Sequence, residues 1–271
     1  MKNVYILFFL LNAFLLSAQN IPNSTGIVTY EQTAFSYKKL TAAQLFFSNE
    51  KSFYVCNRGI KGKIVKFADG EILDIVDKEK GIKQMMAHPN IEVIRHVNDE
   101  EGNIVYMNWK TDSLIFREVL ENDPIIVVEP NLPKLNWKIT SEAKKIGTFS
   151  CLKATTLFRG RNYEAWFTPN IPIPSGPWKL HGLPGLILEA KDLETQFKYI
   201  FKSIEIPLKD KSELSKMPIT GDIILLPDYT KTLKAKEQAH IRKMTSKVAA
   251  RGMVVSMLPS EEIPQELNFE Q

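Results

Sequence analysis

The chain has 271 residues, 44% of them hydrophobic and 24% charged, with 35 Lys and Arg against 31 Asp and Glu. That composition is globular; it excludes intrinsic disorder and is too evenly charged for a dedicated nucleic-acid binder. Two cysteines are too few for a disulfide-built scaffold.

At the amino terminus, Met1-Lys2-Asn3 is a short basic head, followed by an apolar run over 4–16 broken only by Asn12, and then by Ser17-Ala18. A basic region, an apolar region and small residues at a cleavage point form a secretory signal, here ending after Ala18. The apolar run is shorter than the roughly 20 residues a membrane span needs. An exported, soluble or loosely envelope-attached protein is the expectation: periplasmic, on an outer-membrane surface, or extracellular. In such a compartment Cys56 and Cys151 can pair; the alternative is two separate buried thiols acting as small hydrophobes.

From residue 26 onward, apolar and polar residues alternate in short runs separated by turn residues. The alternation predicts strands over 26–37, 42–47, 52–56, 103–109, 113–119, 125–128, 137–141, 149–158, 161–168, 186–191 and 196–206. Lys110-Thr111-Asp112 and Asp192-Leu193-Glu194-Thr195 are suited to hairpin turns. No long helix separates these strands, so βαβ units are not expected, and a meander of neighbouring antiparallel strands is. The acidic run Asp69, Glu71, Asp74, Asp77, Glu79 lacks calcium-loop spacing and reads as a solvated hairpin edge.

After Pro227 the pattern turns helical over 229–251, with Asp228 as candidate N-cap and Leu233, Ile241, Met244 and Val248 as an apolar stripe that Glu237-Gln238 leave imperfect. Between Lys231 and Arg251 there are seven Lys or Arg and one Glu. Such a basic helix is either a solvated face or a peripheral contact for an anionic membrane. Residues 260–271 hold four glutamates and no base, and read as a loose tail. The organisation expected is a signal peptide over 1–18, an antiparallel β domain over 19–210, and a helical extension with an acidic tail over 211–271. The fold class is mainly β (α+β): a curved antiparallel sheet or half-barrel with a C-terminal helical extension, a closed sandwich being the alternative.

The most distinctive stretch runs from Pro169 to Gly185, with five prolines and three glycines in 17 positions. Proline fixes φ and removes donors, so this segment forms neither a helix nor an interior strand. Yet Trp178, Leu180 and Leu183 within it are large and apolar. A stiff, apolar loop is expected to pack onto the sheet or to frame the mouth of a cavity. Its candidate ligand-binding or lid residues are Trp178, His181, Gly182, Leu183, Pro184 and Gly185, together with Trp166 on the preceding strand.

These residues carry a resemblance. Gly182-Leu183-Pro184-Gly185-Leu186-Ile187, the run Trp166-Phe167-Thr168-Pro169, Gly176-Pro177-Trp178-Lys179, and Lys145-Ile146-Gly147 leading to Cys151-Leu152-Lys153-Ala154-Thr155 occur in the order seen in the GLPGLI family of exported bacterial proteins. The chain resembles that family over about 26–207. The resemblance implies export and a β-rich fold, and it brings no catalytic residue with it.

Catalytic templates are missing: there is no Gly-x-Ser-x-Gly, no phosphate-binding loop and no His-Glu-x-x-His. The histidines, His88, His96, His181 and His240, are not spaced as metal ligands, and no cofactor is implied. On the strand ending at Trp166, period two places Arg159, Arg161 and Tyr163 on one face and Asn162, Glu164 and Trp166 on the other. Glu164 and His181 can be combined into an acid–base pair, though no nucleophile accompanies them. Two readings follow. One is a non-catalytic envelope module binding an apolar ligand, peptide or partner protein in a groove drawn from Trp109, Trp137, Trp166, Trp178, Phe197, Tyr199 and Phe201. The alternative is an envelope hydrolase using Glu164 and His181.

Overall fold

A computed structural model describes residues 25–34, 40–58, 60–67, 72–75, 91–120, 123–194, 196–215, 217–218 and 220–249. The expected signal peptide, His88, most of the acidic run and the acidic tail lie outside these residues. Of residues 35–37 at the end of the first expected strand, and 250–251 at the end of the expected helix, the same holds.

The main sheet has twelve strands in the order β10-β11-β12-β13-β14-β1-β2-β3-β7-β8-β9-β15. They are β1 Gly26–Ala34, β2 Leu40–Phe47, β3 Lys51–Cys56, β7 Asn103–Asn108, β8 Ser113–Leu120, β9 Asp123–Glu129, β10 Lys138–Ile146, β11 Phe149–Phe158, β12 Arg161–Thr168, β13 Leu186–Asp192, β14 Phe197–Glu205 and β15 Asp222–Leu225. All pairings in it are antiparallel except β15 on β9. β1 pairs with both β14 and β2, so the first strand sits inside the sheet and the edges fall to β10 and β15. Between β3 and β7 the chain makes an excursion: β4 Ile60–Phe67, β5 Ile72–Ile75 and β6 Ile91–Asp99 form a separate sheet in the order β5-β4-β6.

The sheet is not closed by hydrogen bonds, but it curls. Glu129, at the end of β9 near one edge, pairs with Arg159 in the β11–β12 turn near the other. The inner face carries Tyr30, Leu45, Tyr54, Met107, Leu114, Phe116, Tyr163 and Phe167, which belong to one core. A smaller core lies on the outer face, where Phe46, Phe53, Val55, Ile104 and Tyr106 pack with Leu208 and Leu214. Leu208 and Leu214 come from the segment after β14, including a 3₁₀ turn at Ser212–Ser215. Arg117, 2% exposed, pins the next stretch by donating from Nε to Thr220 O at 2.7 Å. β15 then joins β9, and helix α1, Leu226–Ala249, follows directly.

The mainly β, curved, open sheet with a C-terminal helix is as expected, and the strands of the β11–β14 half lie within a few residues of their expected bounds. Three features differ. β4 and β6 were not expected as strands, while β5 falls within the acidic run expected as a hairpin edge. β15 was not expected either; it is a sheet strand lying where a helical extension was expected. Helix α1 starts at Leu226, so Asp228 lies in the first turn instead of capping it; a carboxylate there still faces the positive end of the helix dipole. Cys56 and Cys151 are both buried thiols, and burial raises the Cys151 pKa to about 11.

Candidate functional site

The loop Pro169–Gly185 lies against the inner face of the curled sheet. Ile171, Ile173, Leu180 and Leu183 in it are all at most 3% exposed and belong to the main core. Its backbone groups are paired locally and to the next strand: Gly182 N–H donates to Pro174 O, Leu186 N–H to Ile171 O and Ile187 N–H to Ser175 O. That pairing lets a proline-rich chain stay buried. From the other side of the core, the Tyr30 hydroxyl donates to Ile187 O at 2.6 Å; burial raises the pKa of that hydroxyl well above 10.

The six-residue motif divides its work. Gly182 has φ +90°, a conformation in which a side chain is strained. Gly185 is set by contact: a Cβ there would stand 2.3 Å from Thr168 O and 2.7 Å from its carbonyl carbon. Leu183, Leu186 and Ile187 are buried, while Pro184 is exposed. Trp178 adopts φ +55° and packs its ring against Phe158 and Tyr163, at 5.7 and 6.1 Å between centroids.

Lys179 drives its side chain into the core. Its Nζ lies 3.3 Å from Glu129 Oε1 and 3.4 Å from the Phe116 ring centroid. Glu129 also takes Arg159, and the three side chains are 3% exposed or less. An ion cluster this deep requires mutual pairing, because an uncompensated charge in such a place costs several kcal/mol. A second buried pair, Arg161–Asp192 at 3.2 Å, fastens the β13–β14 turn, where Asp192 Oδ1 also accepts from Phe197 N–H at 2.8 Å.

His181 closes the loop. Its Nδ1 lies 2.8 Å from Lys179 O, so that nitrogen carries the proton. The ring lies 5.5 Å from that of Trp109, and Trp137 Nε1 donates to His181 O at 2.7 Å. Burial lowers the His181 pKa below 6.5, against the opposing pull of the Lys179 and Pro133 carbonyls and the charges of Glu129 and Asp112.

Glu164 and Trp166 belong to the other face of β12. Glu164 lies 3.1 Å from Lys153 and 3.7 Å from Lys191, and accepts from Trp166 Nε1 at 3.3 Å. Lys144 pairs with Glu189 and stands 4.4 Å over the Trp166 ring. Burial alone would raise the Glu164 pKa, but the Lys153 hydrogen bond and the charges of Lys191 and Lys153 outweigh it and hold the carboxyl below 4.5. This is a cross-strand ion ladder.

The sequence-derived candidates therefore separate. Trp178, His181, Gly182, Leu183 and Gly185 come together in the loop, with Pro184 at its surface. Trp166 is half-buried in the ladder, outside that group. Glu164 and His181 have no partner in common and lie on opposite sides of β12, so the structure does not assemble the acid–base pair. Of the expected groove aromatics, Trp109, Trp137 and Trp178 pack with the loop, Tyr199 stacks edge-on to Tyr54 and Phe201 to Phe149, and Phe197 lies under Arg161. Sequence reasoning missed Glu129 and Lys179, and it placed Arg159 on a polar face without finding its partner Glu129. It also missed the β15 edge, where Ile223 and Leu225 are 72% and 56% exposed. Among the described residues no group of three or more His, Cys, Asp or Glu could hold a metal ion.

The profile of a family described as "Protein of unknown function (Porph_ging)" matches residues 157–189, which span the end of β11, β12, the loop and the start of β13. This is compatible with the GLPGLI resemblance. No curated protein matches the chain in sequence. Two solved structures of PNGF-II are similar to it. The P21 form has 17% identity and a TM-score of 0.47 over 77% of this chain and 32% of that one. The C2 form has 18% identity and a TM-score of 0.48 over 79% and 33%. The chain thus spans about a third of the length of the solved structures it matches.

Proposed function

We propose that this protein is a non-catalytic binding module of the cell envelope, exported by its amino-terminal segment, that receives an extended apolar segment of a partner protein or peptide at the β15 edge. The carrying observation is that edge. β15 is a short terminal strand of an open sheet, and Ile223 and Leu225 on its outer side are 72% and 56% exposed. An outer strand leaves a row of backbone donors and acceptors unpaired, and exposed aliphatic side chains at alternate positions are what an added strand covers. The opposite edge, β10, instead displays Lys138, Glu142 and Lys145, charges that discourage strand addition.

The rest of the molecule favours binding over chemistry. The loop occupies the inner face that an apolar small molecule would need. Glu164 is engaged by two lysines and His181 by the carbonyls of Lys179 and Pro133, an arrangement that favours binding over the hydrolase reading.

The test is a photo-crosslinking residue at position 223, introduced in the exporting cell. A discrete adduct is expected, mapping to an apolar β-branched segment whose synthetic peptide slows deuterium exchange of the β15 amides. Position 157 is the control, because Leu157 is 53% exposed on β11, a strand that pairs with neither β15 nor β9. The same adducts from both positions would refute the reading.

A further inference from the structure

Helix α1 carries the whole of the chain's formal surplus of +4. It holds Lys231, Lys234, Lys236, Arg242, Lys243 and Lys247 against Asp228 and Glu237. Elsewhere the charges cancel, since 35 − 6 and 31 − 2 both leave 29. The helix is attached by its beginning: Tyr229 lies edge-on to Phe116 at 5.2 Å and bonds Glu118, and Leu226 and Leu233 pack against the main core. From Lys234 to Ala249 it continues for about 24 Å at the usual rise of 1.5 Å per residue. Beyond Leu233, the sequence repeats apolar residues at helical spacing, Ile241, Met244 and Val248, with Glu237 interrupting the pattern. A shallow groove of about 410 Å³ on α1 is lined by Thr230, Lys231, Lys234, Ala235 and Gln238.

We infer that α1 is a peripheral docking element for an anionic lipid surface. A basic helix with a narrow apolar stripe lies in the plane of a bilayer interface, its lysines among the headgroup phosphates. Among the described residues no helix is long and apolar enough to cross a membrane, so the contact made by α1 runs along the surface. Lipid is favoured over a soluble polyanion because the sequence interleaves Ile241, Met244 and Val248 among the bases at helical spacing, a pattern that suits a bilayer interface and that a polyanion does not need. The inference does not depend on strand addition at β15.

The test is sedimentation of the full chain with vesicles of phosphatidylcholine alone or with 30% phosphatidylglycerol. Binding is expected to the mixed vesicles only, and to fall steeply between low and physiological salt as the Debye length contracts. Lys231→Glu/Lys234→Glu is expected to reduce partitioning by at least about twentyfold, on roughly fivefold per lysine at the surface. It should leave the melting temperature unchanged, since both side chains are exposed. Ile223→Lys/Leu225→Lys is expected to abolish peptide capture and keep vesicle binding, so the two proposals fail separately. Equal binding to neutral vesicles, no binding at low salt, or indifference to the lysine reversals would overturn the inference. So would a short DNA duplex that displaces the vesicles with the same lysine dependence, because the partner would then be nucleic acid.

Discussion

The loop Pro169–Gly185 contains neither strand nor helix, yet Ile171, Ile173, Leu180 and Leu183 are almost wholly buried. Helix α1 is regular over 24 residues, yet Lys231, Lys234, Ala235 and Gln238 are exposed. The contrast separates two things that a hydrogen-bonding pattern alone conflates. In the helix, backbone satisfaction is internal and guarantees nothing about attachment. In the loop, satisfaction is borrowed from its own turns, from β13 and from the sheet, so the irregular segment is the one that cannot leave without opening the core. Order here follows burial and long-range pairing.

The sharpest way to break this comparison is Glu129→Gln. It removes the carboxylate that Arg159 and Lys179 share at the loop's base, and a buried pair broken on one side costs about 3–5 kcal/mol. Urea unfolding at neutral pH is expected to show that loss with the slope unchanged. A loss under 1 kcal/mol would mean that the cluster is not integral to the loop's seat. Gly185→Ala comes next. The added carbon collides with the backbone of Thr168, which cannot rotate away as a side chain would, so a loss of roughly 2–3 kcal/mol is expected. Calorimetric unfolding checks it; a neutral result would place slack where the structure has contact.

The acid limb of stability reads the His181 clasp. Its folded pKa lies below that of the unfolded chain because the charged form is desolvated. The unfolded chain therefore binds more protons, and this contribution, complete above about pH 6.5, is lost as the pH falls toward the lower folded value. Urea midpoints at pH 7.5 and 5.5 are expected to differ less in His181→Gln than in the parent. An unchanged difference would assign the acid sensitivity elsewhere. The carboxylates are the obvious rival: Glu164, with its lowered pKa, loses its contribution only as the pH drops through and below 4.5, outside the interval from pH 7.5 to 5.5.

Much of the loop side of this comparison is legible from residue types. Five prolines interleaved with large apolar residues admit few outcomes other than a buried irregular segment, and the spacing of Tyr163 and Ala165 in β12 and of Phe197, Tyr199 and Phe201 in β14 sets faces there. The Glu129–Arg159–Lys179 cluster is not legible, because its members lie 30 and 50 residues apart and nothing local distinguishes a buried lysine from a solvated one. β4 is obscured for a different reason: Ile60-Lys61-Gly62-Lys63 alternates, but its glycine and lysines resemble a turn. β15 has four residues with no alternation, and it is a strand only because β9 lies beside it. Its exposed edge, on which the proposed function rests, is therefore a property of the topology.

The helix side of the comparison is sharpened by Ala235→Gly. Ala235 is exposed, two residues beyond Leu233, which packs on the main core. Glycine in a helix interior costs about 0.5–1 kcal/mol through the backbone entropy it regains on unfolding. If α1 beyond Leu233 is a cantilever, that cost falls on local helix–coil opening and leaves global unfolding unmoved. Hydrogen exchange is expected to accelerate about three- to fivefold for the amides of residues 236–246, with no change at Tyr163 or Leu186 and no shift of the urea midpoint. A midpoint that moves by the full amount would show that the distal helix unfolds with the sheet, and the distinction between a seated loop and a free helix would then be one of degree.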